Sequence, residues 1–184
     1  MSPAHRHRVR MTEPDPEMME AHTQKQIAEM VAVALTETIR VPQFDSFNIA
    51  TRVQEMMEVA KRLIGSRYQR GSTGPHAFDC SGFTSYVFQH LGVELKRSSQ
   101  EQFNDGMEVS DLNQLLPGDL IFFGNNGKKG KRVHHVGIVT EVNPAQGTFN
   151  FIHSSTSQGV CISASTDDYW TRKIVGARRM IHNE

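Results

Sequence analysis

The sequence lacks net charge and lacks any long hydrophobic run. Twenty Lys and Arg residues balance twenty Asp and Glu residues in a chain of 184, so no strong field draws the protein toward nucleic acid or an anionic membrane. No apolar stretch approaches the roughly 18 to 20 residues that a membrane-spanning helix needs. The composition therefore predicts no transmembrane segment and gives no indication of a nucleic-acid partner. The length favours one domain with an appendage.

A recognisable export signal is also missing. The chain starts with the basic segment MSPAHRHRVR, like a secretion signal, but the polar segment MTEPDPEMMEAHTQK follows where an apolar core is expected. Two locations stay open: the cytoplasm, or the cell envelope (periplasmic or secreted) if an export signal has been removed.

Cysteine is scarce, since the chain contains only Cys80 and Cys161. One pair in a chain of this length is a weak sign of a disulfide. The paired spacings of structural zinc sites, such as CxxC or HxxxH, are absent, although Cys80, His135 and His153 would form a Cys-His-His set if the fold brought them together. No GxSxG motif and no P-loop occur either. We therefore expect no metal and no other cofactor.

The front of the chain is predicted to be helical. Residues 1–22 carry charge, Pro, Met and His without periodicity, which is typical of a loosely attached arm. Apolar residues recur at helical spacing over 23–40 and again over 49–64. We therefore expect an N-terminal arm and helical extension over 1–47 and a compact domain over 48–184.

The rest of the chain predicts one more helix followed by a sheet. In FDCSGFTSYVFQHLG, Asp79 lies where an N-cap belongs, apolar residues recur at spacings of three and four, and Gly92 ends the pattern. Five short segments rich in β-branched and aromatic residues follow, separated by turn signals. The sequence therefore predicts an α+β fold, with N-terminal helices packed on a central antiparallel sheet of about five strands.

Cys80 is predicted to lie in the first turn of this helix. Backbone N–H groups and the positive end of the helix dipole favour a thiolate there, and the same N–H groups are suited to hold an oxyanion. The alternative is an unreactive core residue, because cysteine is among the most buried residue types.

Histidines on the later strands offer a base for such a thiol. Strand alternation places His135 on the face of Gly137, which we expect to leave room for a helix terminus or a substrate, whereas His134 shares its face with larger apolar residues. His153 falls on the face of two phenylalanines, so we expect it to point toward the core and to need a partner such as another imidazole. A satisfied structural histidine is the alternative at each position.

The motifs FDCSGF, LLPGDLIFF, HHVGIV and FIHSS follow one another along the chain. In this order and at these distances they resemble the NlpC/P60 cell-wall peptidases, which are papain-like cysteine peptidases. The resemblance extends over roughly residues 50 to 181. The loop YQRGSTGPHA departs from the Y-x-W-G-G pattern of that family, which leaves the substrate contacts from this side open.

The resemblance implies a catalytic role for three residues. The cysteine of DCSG, Cys80, would be the nucleophile. The histidine before VGI, His135, would be the general base, and His153 would be the third polar residue that orients the base.

The resemblance also implies residues that line the substrate site or stabilise the oxyanion. Tyr68 matches the tyrosine of the loop before DCSG, near the oxyanion. Asp79 and Ser81 flank the nucleophile, and Ser99 matches a serine in the segment RSSQEQ. Asp79 has the alternative role of a helix cap.

By the same resemblance, the expected activity is hydrolysis of peptidoglycan stem peptides or muropeptides through a thioester. The expected bond joins D-γ-glutamyl to a diamino acid such as meso-diaminopimelate. The alternatives are an amidase or acyltransferase of the same fold that acts on another amide, and a non-catalytic wall-binding protein. Fold and catalytic residues determine the acyl-transfer chemistry but not what enters the cleft.

Overall fold

A computed structural model describes residue 26, residues 42–127 and residues 130–182 of the chain. The predicted arm over 1–22 lies outside the described residues. So does the predicted helix over 23–40, except for Gln26, which is helical.

The first helix with described bounds, α1, spans Pro42–Arg62. It begins well before the predicted 49–64 span, because proline is tolerated in the first turn of a helix, where its missing N–H loses no hydrogen bond. The helix therefore crosses the predicted boundary between residues 47 and 48, and that domain division stays a prediction. After α1 the chain turns at Gly65, whose φ of 88° is a left-handed conformation that favours glycine.

Within the described residues, eight strands follow α1. They are β1 (Arg67–Tyr68), β2 (Ala77–Phe78), β3 (Met107–Val109), β4 (Leu120–Gly127), β5 (Gly130–Asn143), β6 (Thr148–Ser155), β7 (Gly159–Ala164) and β8 (Ile174–Arg179). β1 and β2 form a short parallel pair, and the other six form an antiparallel sheet in the order β3-β8-β4-β5-β6-β7.

The antiparallel sheet thus has six strands where the sequence predicted about five. The additional strand is β3, which pairs with β8 at the edge of the sheet. Two of its three residues are exposed, so the strand carries no hydrophobic alternation by which the sequence would reveal it. The predicted α+β class is confirmed.

The part of the chain that the structure describes has three further α-helices, α2 (Cys80–Gln89), α3 (Ser99–Phe103) and α4 (Asp168–Thr171), and Leu112–Gln114 forms one turn of 3₁₀-helix. α2 begins as predicted, because the Asp79 side chain accepts the N–H of Gly82 at 2.7 Å. None of the helices within the described residues is long and apolar enough to cross a membrane.

Two hydrophobic cores lie on opposite faces of β5. On one face, Phe83 and Val87 of α2 pack in the same cluster as Val136 and Ile138 of β5, and all four are fully buried. Each such side chain contributes roughly 1.5–3 kcal/mol relative to an exposed position. On the other face, the cluster consists of Val109, Leu115, Ile121, Phe123, Val139, Phe149, Phe151 and Ala177. One face of β5 therefore packs against α2, and its other face packs against the second cluster, which contains three phenylalanines.

Candidate active site

Cys80 occupies the first position of α2, directly after the Asp79 cap. Its side chain packs against the helix-side core and is partly buried. Its sulfur interacts with the backbone N–H groups of Ser81, Val136 and Cys80 itself, and these interactions lower the pKa of the thiol. Val136 directly follows His135 in β5, so the sulfur lies against the backbone next to the candidate base. Both cysteines are free thiols, so Cys80 and Cys161 form no disulfide.

The sequence predicted a thiolate at Cys80 from its position in the helix, and this prediction is wrong for the site without substrate. Burial raises the pKa of the Cys80 thiol, the negative charge of Asp79 raises it further, and the backbone N–H groups only partly oppose this rise. Cys80 is therefore a protonated thiol at neutral pH, and a role as nucleophile would require a base.

The two candidate imidazoles are in direct contact. His135 Nε2 and His153 Nδ1 lie 2.8 Å apart, and the two rings are nearly perpendicular at 87°. The His153 side chain has no exposed surface, as the alternation with Phe149 and Phe151 predicted, whereas His134 is exposed.

Gly137 has a different role from the one predicted. It does not leave room for a helix terminus or a substrate, because the Phe151 ring and the β6 backbone fill the space beside it. A Cβ at this position would lie 2.8 Å from the Phe151 ring and 3.2 Å from the Cβ of His153. Glycine is therefore needed here so that β6 can approach β5 closely enough for the two imidazoles to meet.

Both imidazoles are neutral at neutral pH. Burial lowers the pKa of His135 to about 3, with a smaller contribution from the neighbouring His153, and burial lowers the pKa of His153 to about 4. A neutral imidazole carries one ring proton and one free lone pair. Because Nε2 of His135 faces His153, its Nδ1 is the nitrogen that remains to accept a proton.

Trp170, the only tryptophan of the chain, covers the imidazole pair from α4. Its ring stacks on His135 with centroids 5.2 Å apart and meets His153 edge-on at 5.0 Å. The indole therefore shields the hydrogen bond between the imidazoles from water and contributes to their low pKa values. Trp170 was not predicted from the sequence, because α4 is only one turn long and shows no periodicity.

A charged cluster lies on the other side of Cys80. The Arg97 guanidinium donates to both carboxylate oxygens of Asp79, at 2.6 and 3.1 Å, and to the Ser81 hydroxyl at 3.1 Å. Burial alone would raise the pKa of Asp79, but hydrogen bonds from Arg97 and from the N–H groups of Gly82 and Gly71 outweigh it and lower that pKa. Asp79 thus caps the helix and also forms an ion pair with an arginine that the sequence analysis did not select.

Tyr68 lies close enough to this cluster for its charges to shift the pKa of the phenol. Burial raises the pKa of the Tyr68 hydroxyl, and the neighbouring Cys80 and Asp79 raise it further. The phenol is therefore protonated at neutral pH and is available as a hydrogen-bond donor near the sulfur.

Ser99 is the first residue of α3, whose N-cap is Ser98. The side chain that ties this segment to α2 belongs to Gln102, a fully buried residue that was also not predicted. Its amide donates to the carbonyl oxygens of Ser81 and Lys96, at 3.2 and 2.8 Å. α3 thereby positions the adjacent Arg97 against the helix cap.

A cavity of about 430 Å³ adjoins the imidazoles. Its walls include His135, Trp170, Ser157 of the loop between β6 and β7, and Lys173. Among the described residues, no three or more His, Cys, Asp or Glu side chains are grouped as metal ligands would be.

Comparison with known proteins gives the family. The NlpC/P60 family model matches residues 65–179. A Bacillus subtilis protein named gamma-DL-glutamyl hydrolase is 39% identical over 132 residues, which is 71% of this chain but 30% of that protein. An Escherichia coli K12 protein named murein DD-endopeptidase MepS/murein LD-carboxypeptidase is 39% identical over 150 residues, covering 79% of this chain and 74% of that protein.

The solved structures agree with this result. A crystal structure of an NLP/P60 family protein from Staphylococcus aureus, described as similar to lipoprotein, is 34% identical and superposes with a TM-score of 0.61. The match covers 72% of this chain and 42% of that one. Because the family model covers more than half of the sequence and the fold agrees, the chain belongs to the NlpC/P60 family.

Proposed function

We propose that this protein is a cysteine endopeptidase that hydrolyses peptidoglycan stem peptides. The observation that carries the proposal is the Cys80 thiol at a helix N-terminus, held against the backbone beside a neutral His135 whose Nε2 is occupied by His153. Such an arrangement supplies a nucleophile, a base and a group that orients the base. A wall-binding protein without activity would need none of the three.

In the proposed reaction, His135 Nδ1 takes the proton from the Cys80 thiol as the sulfur attacks the carbonyl carbon of the amide. The carbonyl oxygen becomes an oxyanion, which the backbone N–H of Cys80 and the Tyr68 hydroxyl stabilise. The C–N bond then breaks, and the imidazolium returns its proton to the leaving amine. A thioester remains on Cys80. Water, deprotonated by His135, then attacks the thioester carbonyl carbon. The C–S bond breaks, the carboxylic acid leaves, and the imidazolium returns its proton to the sulfur.

For the scissile bond, we propose the amide between D-γ-glutamyl and a diamino acid such as meso-diaminopimelate. The family resemblance supports this choice, and so does the name of the Bacillus relative, a gamma-DL-glutamyl hydrolase. The name of the E. coli relative, a murein DD-endopeptidase and LD-carboxypeptidase, favours a second candidate, which is a cross-link between stem peptides or the bond to a terminal D-residue. Both candidates use the same acyl-transfer steps.

The experiment is a digest of purified peptidoglycan with products identified by mass spectrometry. The wild type is expected to release fragments with a new N-terminus on the diamino acid, and Cys80→Ala is expected to release none. His134→Ala is a matched control, because it removes an exposed neighbouring imidazole and should cleave like the wild type.

Each other outcome of the digest has a defined meaning. Fragments cut at a cross-link or at a terminal D-residue would support the second candidate. Cleavage at the amide between sugar and peptide, or no cleavage by the wild type, would contradict the proposed endopeptidase. Equal cleavage by Cys80→Ala and the wild type would contradict the cysteine mechanism.

The proposed substrate also indicates where the protein acts. Peptidoglycan lies in the cell envelope, and the wall-hydrolase names of the relatives agree with that location. Fractionation of cells that produce the full chain is expected to recover it with the envelope or the medium. Recovery in the cytoplasm alone would contradict this placement.

A further inference from the structure

The imidazole pair is extended by one more polar side chain, on β7. Ser163 Oγ lies 2.9 Å from His153 Nε2, the nitrogen that faces away from His135. Because β6 pairs with β7 in a register that sets His153 opposite Cys161, the Ser163 side chain stands on the same face of the sheet, two residues further along. Ser163, His153 and His135 thus form a continuous hydrogen-bonded chain.

Proton positions along this chain are linked. If His135 donates its Nε2–H to His153, then His135 Nδ1 is unprotonated and is able to act as a base, and the single proton of His153 must lie on Nε2. In the opposite arrangement, His153 donates from Nδ1, the His135 proton moves to Nδ1, and the base is blocked. The state of His153 Nε2 therefore decides whether His135 can accept the thiol proton.

The contacts of Ser163 favour the first arrangement. Its hydroxyl also contacts the Cys161 side chain. Burial raises the pKa of the Cys161 thiol and the hydrogen bond from Ser163 opposes that rise, as expected when the hydroxyl donates to the sulfur. The lone pairs of Ser163 Oγ are then left for the N–H of His153. Cys161 Sγ lies 3.6 Å from the same Nε2, so it is the weaker partner of that nitrogen.

We propose that Ser163 is a positioning residue, which accepts the Nε2–H of His153 and thereby fixes the tautomers of both His153 and His135. This inference rests on the proposed function, because the tautomer of His135 matters only if His135 is the base. It assigns a fourth member to the chain of groups that ends at Cys80.

A purely structural role is better filled by the neighbouring Ser165. Ser165 is buried, and its hydroxyl accepts the backbone N–H of Phe149 at 2.9 Å, which holds β6 to the chain that follows β7. Ser163 is partly exposed, and its hydroxyl contacts side chains. The two serines lie two residues apart and offer a matched pair of variants.

The direct test is nitrogen NMR of the full chain labelled with ¹⁵N-histidine, which distinguishes protonated from unprotonated ring nitrogens without any substrate. In the wild type, His153 is expected to be protonated on Nε2 and His135 on Nε2. In Ser163→Ala, both are expected to shift to mixed tautomers, and Ser163→Thr is expected to restore the wild-type state. Unchanged tautomers in Ser163→Ala, or protonation of His153 on Nδ1 in the wild type, would overturn the proposal.

Kinetics supply the second readout. Ser163→Ala is expected to lower kcat about tenfold with little change in KM, since the hydroxyl acts on the base rather than on substrate binding. Ser165→Ala is expected to lower Tm but to keep wild-type kcat below its Tm. A Ser163→Ala enzyme with wild-type kcat would overturn the proposal. A wild type without hydrolase activity would contradict the proposed function instead, and the tautomers would still be decided by NMR.

Discussion

The two groups of side chains that flank Cys80 differ in how they hold charge. On the helix side, Asp79 is ionised and paired with Arg97, whose side chain is 47% exposed. On the sheet side, His135 and His153 are neutral and enclosed by aromatic rings. The charged residues thus lie where each has a partner and water is near. The two histidines, which would transfer protons in the proposed reaction, lie in an apolar environment.

This difference determines the state of the thiol. An ionised Asp79 beside the sulfur disfavours a thiolate, and neutral imidazoles provide no positive charge to compensate for it. Cys80 and His135 therefore rest as a neutral thiol and a neutral base, not as an ion pair. In the proposed reaction, the attack on the substrate is therefore accompanied by proton transfer to His135.

The largest effect is expected from removing the neutral base. His135→Ala leaves the thiol without a proton acceptor, and kcat/KM for a muropeptide substrate is expected to fall by about 10³-fold or more. His134→Ala removes the adjacent exposed imidazole and is expected to stay near the wild-type rate. Equal losses in the two variants would show that the location of the histidine does not matter.

A substitution at Gly82 tests how closely the loop before α2 packs against the helix start and the charged Asp79. A Cβ at this position would overlap the carbonyl oxygen of Ser72 and lie 2.9 Å from Asp79 Oδ1. Gly82→Ala is therefore expected to displace the loop before α2 and to lower the free energy of unfolding by about 1–3 kcal/mol. Denaturant titration measures this, with the exposed Gln89→Ala in the same helix as the control. A stability equal to that of the control would contradict the close approach of this loop.

Acidification tests whether His135 and His153 resist protonation in the folded protein. The pKa of each imidazole is lowered on folding, to about 3 and about 4, so below the unfolded value of about 6.5 the unfolded chain binds protons that the folded chain does not. This destabilisation is absent above about pH 6.5 and grows as the pH falls toward about 4. Wild-type Tm is therefore expected to fall more steeply across that window than Tm of His153→Gln. Parallel curves would show that folding does not lower the pKa of His153.

The smallest effect is expected from the ion pair. The pKa of Asp79 is lowered on folding, so the pair stabilises the protein above the unfolded value of about 3.9 and loses that effect as the pH falls through the folded value. Because the Arg97 side chain is about half exposed, and Asp79 keeps the N–H groups of Gly82 and Gly71 as donors, Arg97→Ala is expected to cost less than about 1 kcal/mol at neutral pH and almost nothing at the lowest pH. Lys96→Ala is the neighbouring control. A loss that persists in acid would point to packing instead.

Local signals in the sequence predicted much of this arrangement. The cap at Asp79 was predicted from an acidic residue before a periodic apolar run, and the structure confirms it. The burial of His153 was predicted from strand alternation, which depends only on neighbouring residues. The α+β class followed from the order of helical and strand-like segments.

Features that depend on contacts between distant segments of the chain could not be predicted from local signals. Arg97 reaches Asp79 across 18 positions, and Ser163 meets His153 through strand pairing. Gly137 was expected to open space, but the Phe151 ring fills it. The thiolate expected at Cys80 was wrong because a helix position indicates nearby N–H groups but not how deeply the sulfur is buried.

The resting state of the site, a neutral Cys80 thiol beside a neutral His135, can be measured directly. The most direct measurement is the ultraviolet absorbance of thiolate as a function of pH, taken as the difference between the wild type and Cys80→Ala so that Cys161 cancels. The absorbance of the Cys80 thiolate is expected to appear only above the ordinary thiol pKa of about 8.5. A thiolate signal already present at neutral or acidic pH would contradict it and would show that Cys80 and His135 rest as an ion pair.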